Sequence, residues 1–323
     1  MQVLITGGAG FIGSHLTDRL IAEGHVVTVL DDFSSGRREN LAGVAQSPRL
    51  RVAEGSVLDA ALVSDLVARA ETVFHLAAAV GVRLIMDAPS RSILTNVNGT
   101  ENVLKAAVAH GRQTFVASTS EVYGKASKFP VREDDDLTIG STRNLRWSYA
   151  CAKTLDEFLT FAYVREAALP AVVLRFFNTA GPRQTGRYGM VLPTFVQAAL
   201  EGRPLQVHGT GAQTRCFGHV SDVIEAMVRL MTVPAAHGQV FNVANDEEVS
   251  IRGLAERVVA LTGSESRIEF VPYSSVYPEG FEDMARRLPD VSKLERCIGF
   301  RPRRGLDEII ADVISEKRAA LAA

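Results

Sequence analysis

Cysteine and tryptophan are almost missing from this 323-residue chain, with three of the one and a single copy of the other. Cys151, Cys216 and Cys297 stand apart, neither paired nor at metal-ligating spacing. That excludes a disulfide scaffold and a zinc cluster, and it suits a reducing compartment. An excess of one charge is also missing: 35 Lys and Arg face 37 Asp and Glu, for a net charge of -2. Nucleic acid is therefore not expected as the main partner. No apolar run reaches the roughly 18 residues of a membrane span. No basic segment leads into an apolar stretch at the start, so we expect no signal peptide and a cytoplasmic location. No repeat or low-complexity segment is evident. What is plentiful is apolar residues, at 46%, enough for one large or two moderate domains.

The most informative stretch comes first. Val3 to Ile5 is a short apolar run rich in β-branched residues and reads as a buried strand. Gly7, Gly10 and Gly13 follow, and then Leu16 and Leu20 at helical spacing. Such a turn allows backbone to approach a pyrophosphate, and the helix start directs free N–H groups and a partial positive charge at it. A second strand, His25 to Leu30, ends at Asp31, 18 residues after Gly13. That is close to the spacing of a carboxylate that binds the adenosine ribose. An acid there repels a 2′-phosphate, which favours NAD over NADP.

Strand and helix patterns alternate through the first half. Strands are expected at Leu50–Ala53, Thr72–Leu76, Thr114–Ala117 and Ala171–Phe176, and helices at Asp59–Arg69, Ile93–Ala109 and Asp156–Ala168. This pattern implies parallel strands with helices on both faces, and ligands beyond the carboxyl ends of the strands. After Asn178 the texture is irregular. A helix is expected over Thr194–Leu200, strands over Leu205–His208 and Val240–Ala244, a helix over Ile251–Leu261 and a last one from about Leu306. The fold class is thus α/β, a Rossmann-type doubly wound parallel sheet with a smaller discontinuous α/β substrate lobe. Residues 1–177 plus 220–263 form the dinucleotide domain, and 178–219 plus 264–323 the lobe.

Two further signals stand at strand and helix ends. The fifth strand runs into Ser118-Thr119-Ser120-Glu121-Val122-Tyr123-Gly124. Hydroxyls there suit a substrate alcohol. Tyr149 and Lys153 then lie four residues apart, on one face of a helix. A cation beside a phenol favours phenolate, so Tyr149 is expected to have a lowered pKa and to act as base on an alcohol.

Together these elements resemble the extended short-chain dehydrogenase/reductases that modify nucleotide sugars, over nearly the whole chain. The resemblance implies Thr119, Tyr149 and Lys153 as a catalytic triad. It implies NAD contacts at Gly7, Gly10, Phe11, Ile12, Gly13, Asp31, Asp32, Ser35 and Gly36, at Ser56 and Val57 beside the adenine, and at Leu76, Ala77, Ala78, Asn96, Ser118, Tyr149, Lys153 and Phe176. It implies nucleotide-sugar contacts at Asn178, Arg187, Val191, Arg215 and Arg287, and a homodimer formed through helices around 98–109 and 149–168.

Within that family the strand-end residues separate the reactions. Ser120 stands where 4,6-dehydratases carry an acid, which argues against dehydration. The run Ser118 to Gly124 resembles that of UDP-glucuronic acid decarboxylases, as does Gly280 to Asp290. The expected activity is therefore NAD-dependent decarboxylation of UDP-glucuronic acid to UDP-xylose or the 4-keto pentose. Glu121, Ser120 and Arg215 would act at the carboxylate. Loops 80–84 and 186–190 differ from those enzymes, which keeps a UDP-sugar 4-epimerase (on UDP-glucose or UDP-glucuronic acid) as the rival. A non-catalytic NAD-binding regulator is a distant third, because both Tyr149 and Lys153 are present.

Overall fold

The computed structural model describes residues 1–81, 86–186, 189–277 and 282–322. The first half runs β1 (Gln2–Thr6), α1 (Phe11–Ala22), β2 (Val26–Asp31), β3 (Leu50–Glu54), α2 (Ala60–Ala68) and β4 (Thr72–His75), then α3 (Pro89–His110), β5 (Gln113–Thr119), α4 (Ser148–Ala167) and β6 (Ala171–Phe176). The second half runs β7 (Thr179–Ala180), α5 (Val191–Leu200), β8 (Leu205–His208), β9 (Thr214–Cys216), β10 (Gly218–His219), α6 (Val220–Met231) and β11 (Gln239–Val243). It ends with β12 (Glu248–Ser250), α7 (Ile251–Thr262), β13 (Ile268–Val271), α8 (Ser292–Ile298) and α9 (Leu306–Ala322).

Seven strands form one parallel sheet in the order β11-β6-β5-β4-β1-β2-β3. The chain winds outward from β1 to β3, then returns to the other side of β1 as β4. The sequence order therefore reverses between β1 and β4, and this crevice is where such sheets bind ligands.

Side-chain alternation along the strands builds two cores. Val3 and Ile5 of β1 face α1 and α6 with Phe74 and Phe241, meeting Leu16, Leu20, Val223 and Met227. Leu4 points the other way, into Val63, Val67, Val103 and Leu104 of α2 and α3. Each fully buried side chain of this kind stabilises the fold by about 1.5–3 kcal/mol. Local signals set the helix ends. The Asp59 carboxylate accepts the Leu62 N–H at the start of α2. Gly111, at φ +62°, ends α3.

A third core joins α5, α7, α9 and β8 through Leu192, Phe195, Leu254, Val258, Ile309 and Ile310. Helix α7 thus turns its apolar face to α5 and α9. A division that follows the cores puts it with the smaller lobe, whereas a boundary at residue 263 puts it with the dinucleotide domain. Two other differences matter. Helix α4 begins at Ser148, two turns before the expected start, so Tyr149 and Lys153 are both on it. Helices α6 and α8 have no counterpart among the expected elements, although α6 buries Val223, Met227 and Leu230 on the sheet.

Candidate active site

The dinucleotide turn is close-packed. A Cβ on Gly13 would lie 2.2 Å from the Gly7 carbonyl oxygen, and one on Gly7 (φ +72°) would lie 2.8 Å from the Ala77 nitrogen. Only hydrogen at both positions lets α1, β1 and the end of β4 close together. The cap of α1 is Gly10, with no side-chain cap, so the first-turn N–H groups around Phe11 and Ile12 face outward. Asp31 closes the other side. Its carboxylate accepts the Ala9 and Phe33 N–H groups, both at 2.9 Å. Gly36 packs against it, where a Cβ would meet Asp31 Oδ1 at 2.7 Å. Burial raises the Asp31 pKa against the pull of those two amides. Asp32 and Ser35 are exposed, and Asp32 accepts the Ser34 N–H at 3.0 Å. A bare glycine cradle, an uncapped helix start and a buried carboxylate at the end of β2 fit a dinucleotide.

Other expected cofactor residues split into two groups. Leu76, Ala77 and Ala78 follow β4 and are half-buried, as are Ser56 and Phe176. Val57 is buried beneath Gly99. Asn96 and Ser118 instead serve their own neighbours. Asn96 accepts the Ala79 N–H at 2.7 Å and donates to the Ala79 carbonyl at 3.2 Å, clamping the segment after β4. Ser118 donates to Glu157, which also holds Arg175 Nη2 at 2.7 Å.

At the end of β5 the Thr119 side chain accepts the Glu121 N–H at 3.2 Å and starts a single 3₁₀ turn over Ser120–Tyr123. Ser120 is buried there. That turn aims Glu121 at a cluster of charge. Arg146, only 2% exposed, grips Glu121 through both terminal nitrogens, with Nη2 at 2.9 Å from Oε1. Arg287 reaches the same carboxylate at 3.4 Å. Arg215 donates to Asp283 at 2.9 Å, while Asp222 accepts the Arg303 and Arg304 N–H groups. Three guanidiniums thus face two carboxylates. Burial alone would raise Glu121, but Arg146 and Arg287 overcome it and hold the carboxyl down at about 2. Burial and then Arg215 push Arg287 down to about 10, against the pull of Glu121 and Asp283. The cluster carries more positive charge than it neutralises.

Tyr149 is 7% exposed, and its hydroxyl makes no hydrogen bond among the described residues. The expected lowering of its pKa is not found. Burial raises it, Glu121 and Asp156 raise it further, and Arg146 and Arg287 oppose them. Lys153 Nζ donates to Asp156 at 2.7 Å. Asn178 (φ +33°) donates to the Cys216 carbonyl at 3.1 Å and ties β6 to β9. Val191 opens α5, half-buried. Arg187, residues 82–84 of the loop after β4, and Gly280 and Phe281 lie outside the described residues.

Arg146, Asp156 and Asp283 were missed by sequence reading. Arg146 and Asp156 flank Tyr149 and Lys153 by three residues each, so proximity in sequence was the one available signal. Asp283 lies in the Gly280–Asp290 stretch already singled out.

With this geometry in hand, the model of the NAD dependent epimerase/dehydratase family matches residues 3–244. The chain belongs to that family. Its cofactor is NAD, and it is an enzyme of the extended short-chain dehydrogenase/reductase type. A UDP-N-acetyl-alpha-D-glucosaminuronate decarboxylase of Bacillus cytotoxicus is 44% identical over 317 residues, covering 96% of each chain. UDP-glucuronic acid decarboxylase 1 of Danio rerio is 35% identical over 307 residues, covering 95% of this chain and 70% of its own. A solved UDP-glucuronic acid 4-epimerase of Bacillus cereus, in complex with UDP-glucuronic acid and NAD, superposes with a TM-score of 0.89 at 26% identity, covering 99% of this chain and 100% of its own.

Proposed function

We propose that this family member decarboxylates a UDP-linked hexuronic acid by way of a 4-keto sugar, with UDP-glucuronic acid giving UDP-xylose or the 4-keto pentose. The observation that carries the reading is the buried, net positive cluster of Arg146, Arg215 and Arg287 around Glu121, placed on the strand end that precedes Tyr149. A substrate with two anionic parts, a diphosphate and a carboxylate, suits it better than a neutral sugar does. The relatives above, decarboxylases of UDP-linked uronic acids, support the same assignment.

Gly7, Gly10 and Gly13 would hold the NAD pyrophosphate and Asp31 its ribose, and the bound cofactor would supply the hydride acceptor and donor for C4. The chain's own residues do the rest. Thr119 orients the C4 hydroxyl and Tyr149 takes its proton. The ketone stands β to the carboxylate, so the C5–C6 bond breaks with its electrons entering the carbonyl, carbon dioxide leaves, and the resulting enolate takes up a proton at C5 from solvent. Arg215 and Arg287 hold the anionic groups, while Glu121 stays ionised and orients the guanidiniums. Asn178 and Val191 border the nucleotide sugar, and Arg187 is assigned with them by resemblance. In this reading the sheet and its two cores form the NAD-binding domain, and the third core forms the sugar-binding lobe.

The assembly proposed is a homodimer. Cys151, Leu155 and Phe158 lie exposed along one face of α4, with Phe158 at 68%, beside exposed Ile93 and Leu94 of α3. Exposed apolar side chains on two helices that pack together suit a self-complementary interface. No helix among the described residues is long and apolar enough to cross a membrane. Three free cysteines suit the cytoplasm as compartment.

The deciding experiment incubates the NAD-loaded protein with UDP-glucuronic acid and, separately, with its 2-acetamido analogue, following carbon dioxide release and the sugar by NMR. The expected result is a pentose product and released carbon dioxide. A product that keeps its carboxylate and is inverted at C4 replaces decarboxylation with epimerisation. Tyr149→Phe should lower turnover by about 10²–10⁴-fold.

A further inference from the structure

One member of the arginine cluster is closed off from solvent. Arg146 is 2% exposed, and both its terminal nitrogens are taken by the two Glu121 oxygens. A short 3₁₀ turn over Leu145–Trp147, just before α4, holds it there. The Asn144 side chain accepts the Arg146 N–H at 3.2 Å and starts that turn. Trp147 ends it, buried, and donates its Nε1–H to Glu282 at 3.0 Å. A Cβ on Gly140 would lie 2.2 Å from that indole nitrogen, so the ring is packed tightly on that side.

Arg215 and Arg287 are held more loosely. Arg215 has Asp283 at 2.9 Å as its carboxylate partner. Arg287 stands 3.4 Å from Glu121 and 4.0 Å from Asp283. The Nε–H groups of Arg146 and Arg287 are both buried without an acceptor among the described residues. Buried donors left unpaired are costly, so the cluster has capacity for one more anion.

The surplus charge of the cluster depends on Arg146. Arg146, Arg215 and Arg287 bring three positive charges, and Glu121 and Asp283 bring two negative ones, which leaves one positive. Without Arg146, two guanidiniums would face two carboxylates and the surplus would vanish. Arg287 would then be the remaining guanidinium within ion-pair distance of Glu121 among the described residues. It would be drawn to that carboxylate and away from a sugar.

We propose that Arg146 is a positioning residue that makes the site select a carboxylate at C6 of the sugar: by occupying Glu121, it keeps Arg287 and Arg215 for the incoming anion. It acts through Glu121 and touches no reacting atom. The role rests on reading the substrate as a UDP-linked hexuronic acid, but its test measures binding and not reaction. A parent that selects the uronate yet inverts C4 sinks decarboxylation and leaves this role standing.

Load the protein with NAD in a Tyr149→Phe background, which slows consumption of the sugar, and titrate UDP-glucuronic acid and UDP-glucose by calorimetry. Repeat with the 2-acetamido pair. The members of each pair differ only at C6, so the ratio of their dissociation constants is the preference for a carboxylate. Arg146→Gln should lower that preference by at least about tenfold, by weakening the uronate and sparing the neutral sugar. Adding Glu121→Gln leaves two positive charges against one negative and should restore the parent's preference. Where Arg146→Gln alone does not fold, Glu121→Gln compared with the double variant removes the same charge from a site with no carboxylate left unpaired, and the same fall is expected. A parent without preference in either pair overturns the proposal, as does a preference that survives the loss of Arg146 or a loss of affinity shared by both sugars. So does a double variant as unselective as Arg146→Gln, because geometry rather than charge would then be the cause.

Discussion

Glu121 is a buried carboxylate that the folded chain holds ionised between two guanidiniums. Its carboxyl sits at about 2, below an ordinary 4.5, because Arg146 and Arg287 outweigh the cost of burial. A depressed acid stabilises the fold fully above its unfolded pKa and loses that contribution as pH falls through the folded one. The loss therefore spans about 4.5 down to about 2, and is on the order of 3 kcal/mol. His75 acts over a higher range: held neutral to about 3 against an ordinary 6.5, it favours unfolding once pH drops below 6.5. Urea unfolding as a function of pH should thus weaken in two overlapping stages, and Glu121→Gln should flatten the lower one. At pH 7 the same variant should cost about 3–5 kcal/mol, because it leaves Arg146 buried beside an amide. Equal midpoints for parent and variant at pH 7 would remove Glu121 from that role.

The element that tolerates least change is the turn from β1 into α1. A methyl on Gly13 would meet the Gly7 carbonyl oxygen at 2.2 Å and the Gly8 Cα at 2.8 Å. Both are backbone, so α1 must move away from β1. Gly13→Ala should cost about 1–3 kcal/mol in stability and weaken NAD binding by at least tenfold, measured by titration calorimetry beside thermal unfolding. Undiminished affinity would mean that the turn does not cradle the dinucleotide. Helix α4 shows a different dependence. Its sequence reads as helix by periodicity from Asp156 onward and by spacing from Tyr149 to Lys153, and the helix runs without a break from Ser148, with Ala150 and Ala152 buried. That unbroken helix is what sets Tyr149 and Lys153 one turn apart.

At the scale of the whole molecule, four exposed large apolar side chains, Ile93, Leu94, Leu155 and Phe158, lie on α3 and α4. Replacing Phe158, 68% exposed, by Asp should convert a dimer to a monomer in light scattering at micromolar protein while leaving the fold intact by circular dichroism. A variant that keeps the parent's mass would show that this face is not the interface. The third core meets the sheet through short connections such as the two-residue pairing of β7 with β10, so the cluster of arginines is assembled from both sides of that junction.

How much was legible beforehand follows from the range of the forces involved. The strands of the sheet, the glycine turn, Asp31 at the end of β2 and the Tyr149–Lys153 spacing are local patterns, and apolar periodicity together with glycine geometry wrote them into the order of residues. The family, and with it NAD, follows from those patterns. What tertiary structure alone decided was electrostatic. Glu121 is separated from Arg287 by 166 positions, and Arg215 from Asp283 by 68. No spacing rule reaches that far, because long-range ion pairs depend on which strand ends the sheet brings side by side. The phenol of Tyr149 shows the consequence. From its lysine alone it reads as lowered. In the fold, burial and the carboxylates of Glu121 and Asp156 raise it, since the charge a group feels is the sum over every neighbour in a medium of low dielectric.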